Sequence, residues 1–209
     1  MTKVFALGGS IFTENLENLQ KYAEAFESFE EQVVVVTGAG SLKTHIKAVE
    51  EVGNQSEQDL VGIKATRLNA QTLKTAMDAY PRVPEKMEEV EEAASTGENV
   101  VMGGLVPGYS TDAVAATVAE LLDAKLYIAT SVDGVYTEEP EKPGAERLEE
   151  VTVSELKSIV SGNSEAGNHA LIDYVALTII DRSGIPTEVF EGTPENIQNL
   201  ESATSTTIE

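Results

Sequence analysis

Short apolar runs alternate along this chain with longer stretches whose apolar residues recur every three or four positions. The runs at 4–7, 33–37, 100–102, 126–129 and 187–190 are rich in valine and other strand formers, and they predict strands. Most are apolar throughout rather than alternating, as expected for strands covered on both faces of a parallel sheet. Helical periodicity occupies 16–29, 42–52, 59–78, 85–94, 112–122, 153–158 and 171–182. Pro81 and Pro84 bracket a turn between two helices, and residues 138–145, with two prolines and a glycine, predict a surface loop. No internal repeat and no flexible linker interrupts the pattern. The expectation is therefore one α/β domain over 1–209, with at most two lobes.

Composition narrows the setting. The 209 residues carry 36 acidic and 14 basic side chains, a net charge of −22. Such a field repels phosphodiester backbones, so nucleic acid is excluded as a partner of the whole protein. The regular strands argue against disorder as the meaning of that charge. The acids fall mostly on helix faces, as in Glu88, Glu89, Glu91 and Glu92, which suggests a cytosolic protein adapted to high salt. No apolar run reaches the roughly 18 residues of a membrane span, so no membrane contact is expected. The opening MTKVFALGGS goes straight into a strand and a glycine turn, which predicts no secretory signal. The absence of cysteine fits a reducing cytoplasm.

Candidate chemistry gathers at the strand ends, where open α/β sheets bind ligands. Gly8, Gly9 and Ser10 follow the first strand; as a lone turn this is more often structural than functional. Thr37, Gly38, Ala39, Gly40 and Ser41 follow the second, with Lys43 close behind, a pattern that suits a polyphosphate through amide donors and a point charge. The loop is neither a Walker loop nor a complete GxGxxG. After the third strand, Gly103, Gly104 and Gly108 surround Pro107 ahead of Ser110, Thr111 and Asp112, a turn that would let bare backbone approach a ligand. After the fourth come Thr130, Ser131, Val132, Asp133 and Gly134. Asp59 reads either as a helix cap or as an acceptor for ribose hydroxyls. Arg67 reads as a phosphate partner or a solvated charge, Tyr136 as a base contact or core filler, and Asp133 as a turn residue or a metal-orienting carboxylate. His45 and His169 lie far apart without ligand spacing, so no zinc site is expected.

Taken together, FALGGS, VVVVTGAGSLKTHI, DLVGIKATRLNA, the stretch 100–137, EAGNHALIDYVALTIIDRSGI and the terminal TTI resemble the amino-acid-kinase superfamily, and within it the archaeal type of UMP kinase. The most specific block is MGG…PG..TDAVAA followed by T.VDGVY. The resemblance implies a three-layer αβα sandwich with a mostly parallel central sheet. Its N-terminal half would take UMP and its C-terminal half ATP, with Mg²⁺ on the nucleotide, UDP as product and a homohexamer as assembly. It implies that Gly9, Ser10, Ala39 and Lys43 meet the ATP phosphates, Lys43 and Ser10 being the catalytic pair. Thr130, Ser131, Tyr136 and Glu139 would line adenosine. Gly38, Asp59 and the loop of Leu105, Val106, Pro107, Gly108, Tyr109, Ser110 and Thr111 would hold UMP. Several positions depart from the family: Ala39 replaces a glycine and would crowd a phosphate, Lys43 an arginine, Leu105 a threonine and Thr178 a helix-borne lysine. A degenerate nucleotide binder, or a kinase of another small phosphate or carboxylate, is the alternative these departures leave open.

Overall fold

The computed structural model describes residues 1–9, 18–162 and 172–209. Its sheet contains β1 (Lys3–Leu7), β2 (Val33–Thr37), β3 (Val100–Met102), β4 (Lys125–Thr130), β5 (Glu150–Val151), β6 (Thr187–Glu191) and β7 (Ser205–Ile208). The order is β3-β2-β1-β4-β6-β7-β5. Strands β3, β2, β1, β4 and β6 are parallel, β7 runs against β6, and β5 runs with β7.

Alternate residues of each strand feed two separate cores, which makes the three layers. Val4, Ala6, Val34 and Val36 point into one with Val114, Ala116, Leu177 and Ile180. These last four come from α5 (Thr111–Leu122) and α7 (Tyr174–Ser183). Phe5, Leu7, Val33 and Val35 point into the other with Tyr22, Phe26, Ala70 and Leu73. There the partners are α1 (Leu19–Glu27) and α3 (Gln55–Lys74). Phe5 stacks on Tyr127 at 5.0 Å between ring centroids, locking β1 to β4 from that side. The remaining helices are α2 (Lys43–Glu50), α4 (Met87–Ser95), α6 (Val153–Gly162) and α8 (Pro194–Gln198).

All five expected strands form, and the expected sandwich is the observed one. Strands β5 and β7 escape the pattern because one is two residues long and the other, STTI, sits in a polar Ser/Thr run. Helix α8 is a single short turn announced by its Thr193 cap and Pro194. The two expected long helices at 42–52 and 59–78 are shifted. A 3₁₀ turn, Gly40–Leu42, precedes α2, and α3 starts four residues before Asp59. Its cap is Asn54, whose Oδ1 accepts the Glu57 N–H at 3.1 Å while the Glu57 carboxylate accepts the Asn54 N–H at 2.8 Å. The capping reading of Asp59 is thereby corrected. Residues 16, 17 and 171, placed at helix starts by the pattern, lie outside the described residues.

Candidate active site

The carboxyl ends of β1, β2, β3 and β4 all face the same edge of the sheet, because these strands are parallel. From β1 the chain moves outward to β2 and β3, then returns to β4 on the other side of β1. The crevice beside β1 is therefore the topological switch point. Gly8 donates its N–H to the Ala129 carbonyl at 3.0 Å and Gly38 donates to Leu7 at 2.9 Å, so the turns after β1, β2 and β4 are knit together. A β-carbon on Gly9 would stand 2.2 Å from the Gly40 nitrogen, and one on Gly38 would stand 2.5 Å from the Gly9 nitrogen. Side chains are excluded here because backbone packs on backbone. Buried Asn69 of α3 props the second turn from beneath, giving its amide to the carbonyls of Gly38 at 2.7 Å and Ala39 at 3.1 Å. Ala39 is itself buried, with ordinary helical backbone angles. Lys43, the first residue of α2, is exposed and joins no ion pair among the described residues.

The turn after β3 corrects one expectation. Gly103 and Gly104 do not bare the backbone to a ligand: a β-carbon on Gly103 would lie 2.6 Å from the Arg67 nitrogen. The turn is pressed onto α3 instead, with the Gly104 N–H given to Thr66 Oγ1 at 2.7 Å. Thr37 reaches the same spot, donating to the Thr66 carbonyl at 2.8 Å. Arg67 is neither a phosphate partner nor a solvated charge in this arrangement. Its Nε donates to the Gly104 carbonyl at 3.0 Å, and its two other nitrogens hold Glu85 at 2.7 and 3.0 Å.

Beyond Gly104 the loop opens outward. Leu105 packs its side chain against the core, so only its backbone faces the loop, whereas Val106, Pro107, Gly108, Tyr109 and Ser110 are exposed. Gly108 adopts φ +82° and gives its N–H to Asp59 Oδ2 at 2.8 Å. Asp59 also accepts from Gln55 at 3.2 Å. Ser110 caps α5 by accepting the Ala113 N–H at 3.0 Å, and its hydroxyl donates to Asp173. Asp173 caps α7, accepting the N–H groups of Val175 and Ala176 at 2.7 and 3.1 Å. Half-buried Asp112 follows Thr111 in the first turn of α5. Burial and then the neighbouring Asp173 charge push its pKa up to about 7, with Lys43 pulling the other way. Asp173 and Lys43 thus both act electrostatically on Asp112, with opposite sign.

On the β4 side, the Thr130 carbonyl accepts the Gly192 N–H at 2.8 Å and Ser131 is exposed. Tyr136 is half-buried and donates its hydroxyl to Asp133 at 2.7 Å, which raises the phenol's pKa. The backbone of Tyr136 bridges to Arg147, whose Nε lies 4.0 Å from the same aspartate. Asp133 is thus engaged by Tyr136 and Arg147. Glu139 stands in the exposed loop with Lys142 at 3.4 Å.

The sequence-expected residues therefore fall into groups. Gly9, Gly38 and Ala39 meet in the crevice beside β1, with Lys43 at the start of the helix that follows; Asp59 joins the 105–111 loop through Gly108; Thr130 ends the adjacent strand and Ser131 follows it. Tyr136 and Glu139 lie farther along the loop after β4. Ser10 and His169 lie outside the described residues. His45 is exposed on α2. Among the described residues no group of three or more His, Asp and Glu is arranged to hold a metal ion. Sequence reasoning missed three contributors: Asn69, Thr66 and Asp173. A polar residue at a buried position of the α3 periodicity was the signal for the first two, and an aspartate directly before an apolar helix for the third.

The profile of the amino acid kinase family matches residues 1–191. The chain is 39% identical to uridylate kinase of Methanococcus aeolicus, over 96% of this chain and 95% of that protein. It is 42% identical to uridylate kinase of Archaeoglobus fulgidus, over 94% of each. The crystal structure of the Archaeoglobus fulgidus uridylate kinase superimposes with a TM-score of 0.89 at 38% identity, covering 100% of both chains. UMP kinase from Ureaplasma parvum, at 20% identity, shares the fold with a TM-score of 0.83 over 100% of this chain and 98% of its own.

Proposed function

This chain belongs to the amino acid kinase family, and from that premise we propose that it transfers the γ-phosphoryl group of ATP to UMP, forming UDP. The observation that carries the reading is the crevice beside β1, where the two glycine-lined turns after β1 and β2 meet at parallel strand ends and Lys43 stands without an ion-pair partner among the described residues. Phosphoryl transfer asks a protein mainly to hold two anions in line and to neutralise charge as it develops. Amide-rich turns and an ammonium suit that task.

In this reading Gly9, Ser10, Ala39 and Lys43 meet the ATP phosphates, and Lys43 with Ser10 stands nearest the transfer. Thr130, Ser131, Tyr136 and Glu139 border the adenosine in the C-terminal half. Gly38, Asp59 and the loop from Leu105 to Thr111 hold UMP in the N-terminal half. Mg²⁺ arrives on the nucleotide phosphates.

The setting proposed is a salt-adapted cytoplasm, supported by the net charge of −22. No described helix is long and apolar enough to cross a membrane. We also propose a homohexamer. Its support is an exposed stripe on α3, where Leu60 (51% exposed) and Leu68 (57%) flank Lys64. Sedimentation of a monomer at micromolar concentration in molar KCl would remove that part of the proposal.

The deciding assay incubates the purified protein with ATP, Mg²⁺ and UMP in molar KCl and follows UDP. A folded protein that binds both nucleotides and makes no UDP would overturn the kinase reading. One observation favours a weakly catalytic nucleotide binder as the second reading. Thr178 is exposed on α7 and its hydroxyl is bonded back to the Tyr174 carbonyl at 2.8 Å, so it offers no cation. Under that reading Thr178→Lys raises turnover at least about tenfold, whereas a wild type already turning over at about 1–100 s⁻¹ rules it out.

A further inference from the structure

One hydrogen bond fuses the caps of two different helices at the mouth of the site. Ser110 ends the exposed loop and caps α5; Asp173 caps α7. The Ser110 oxygen accepts from Ala113 while its proton goes to Asp173 Oδ2. The other carboxylate oxygen, Oδ1, serves Val175 and Ala176. Both side chains thereby face two ways at once, inward to their own helix and across to each other. Helices α5 and α7 lie side by side, and a separate link joins their far ends, where Arg182 and Ser183 hold Glu120. The near link differs because it also terminates the loop 105–110. That loop has a second anchor, the Gly108 N–H on Asp59. Between two fixed points, a short loop with one left-handed glycine has little freedom left.

We propose that Asp173 is a positioning residue for the transfer, fixing the last residue of the acceptor loop against α7 through the Ser110 hydroxyl. The proposal rests on the UMP kinase reading of the loop. Asp173 touches no reacting atom in this scheme; it acts through Ser110, whose placement sets where the acceptor phosphate stops. Misplacement of an acceptor by a fraction of an ångström slows transfer well before it abolishes binding. The same carboxylate has an electrical consequence. The charges acting on Asp112 are Asp173 from the α7 cap and Lys43 from the start of α2, and removing the first leaves burial opposed by the cation alone, which lowers the carboxyl's pKa.

The test compares Ser110→Ala, Ser110→Thr and Asp173→Asn with the wild type, varying ATP and UMP separately across pH. Ser110→Ala should lower kcat about tenfold, the loss expected for one hydrogen bond to a charged acceptor, while the KM for UMP rises less and the KM for ATP stays unchanged. Ser110→Thr keeps the hydroxyl and should recover most of that loss. Asparagine caps helices as well as aspartate does, so Asp173→Asn should fold and should move the acid limb of kcat/KM to lower pH. If Ser110→Ala and Ser110→Thr behave alike, or if Asp173→Asn leaves the pH profile in place, the role is structural and the proposal falls. A wild type that makes no UDP strikes the kinase reading instead. Carbon NMR titration of Asp112 then still decides the link between the carboxylates: a lower midpoint in Asp173→Asn supports it, and an unmoved one overturns it.

Discussion

The amide nitrogen of Gly9 lies 2.5 Å from the point where a side chain on Gly38 would begin. No rotamer can relieve that contact, because backbone stands on both sides of it. Gly38→Ala must therefore push the turns after β1 and β2 apart. The expected cost is about 1–3 kcal/mol, a fall of roughly 2–4 °C in Tm for each kcal/mol at this size. The KM values for ATP and for UMP should both rise with it, since in the proposed reading Gly9 serves the one and Gly38 the other. Calorimetry and initial-rate kinetics check both. A variant with native Tm and native KM would mean that the two turns are not held in contact.

Arg67 is a clamp between α3, the Gly104 carbonyl and Glu85. Arg67→Ala should lower stability by about 1–2 kcal/mol, leaving two carbonyls and a carboxylate without their donor. Arg67→Lys should recover less than half of that, because an ammonium cannot serve three forked contacts. The KM for ATP should not move in either variant. A large rise in that KM with unchanged stability would return Arg67 to the role of phosphate partner.

These two positions also show what was legible in the residues. The strands declared themselves because the interiors of β1, β2, β3 and β4 are apolar and buried, and parallel strands buried on both faces leave no polar alternation to confuse them. The strand-end glycines declared a site, yet their sequence cannot say which face each one opens. Gly9 and Gly38 serve contact between turns, and Gly103 serves contact with α3. Arg67 was ambiguous for a related reason: its partner Glu85 is 18 residues away, in a segment whose direction depends on the Pro81–Pro84 turn. The capping box is legible as Asn54 with Glu57 three residues on, ahead of the helical periodicity over 59–78. Asp173 could be seen only once α5 and α7 were side by side.

Charge sets a third expectation. Eight of the 36 acidic residues pair with a basic side chain among the described residues, and most of those pairs are exposed on at least one side. Exposed pairs contribute little, so salt has little attraction to remove. It has much repulsion to remove, because net charge of this size strains the compact state. Raising KCl from about 0.1 to 1 M shortens the screening length from about 10 to 3 Å. Thermal unfolding should therefore move to higher temperature across that range. A Tm that stays flat or falls would show that ion pairs outweigh the excess acid, and would remove the support for a salt-adapted setting.

Asp112 gives the fourth expectation, and its sign follows from the direction of its shift. Its carboxyl is pushed from the ordinary 3.8 to about 7 by burial and by Asp173. Between those values the folded chain holds a proton that the unfolded chain releases, so stability falls as pH rises through that window and is lowest above it. At about 1.4 kcal/mol per unit the full shift is on the order of 4 kcal/mol, an upper bound that relaxation around the charged group reduces. Asp112→Asn cannot ionise. Its unfolding temperature should match the wild type near pH 4 and exceed it increasingly up to pH 7–8, by an amount worth about 1–3 kcal/mol. Turnover at pH 8 should fall in the same variant, since the carboxylate that acts on Lys43 is gone. A stability difference that does not change with pH would mean that Asp112 titrates normally. The charged carboxylate would then cost the fold nothing, and the tension between stability and a functional anion at the start of α5 would disappear.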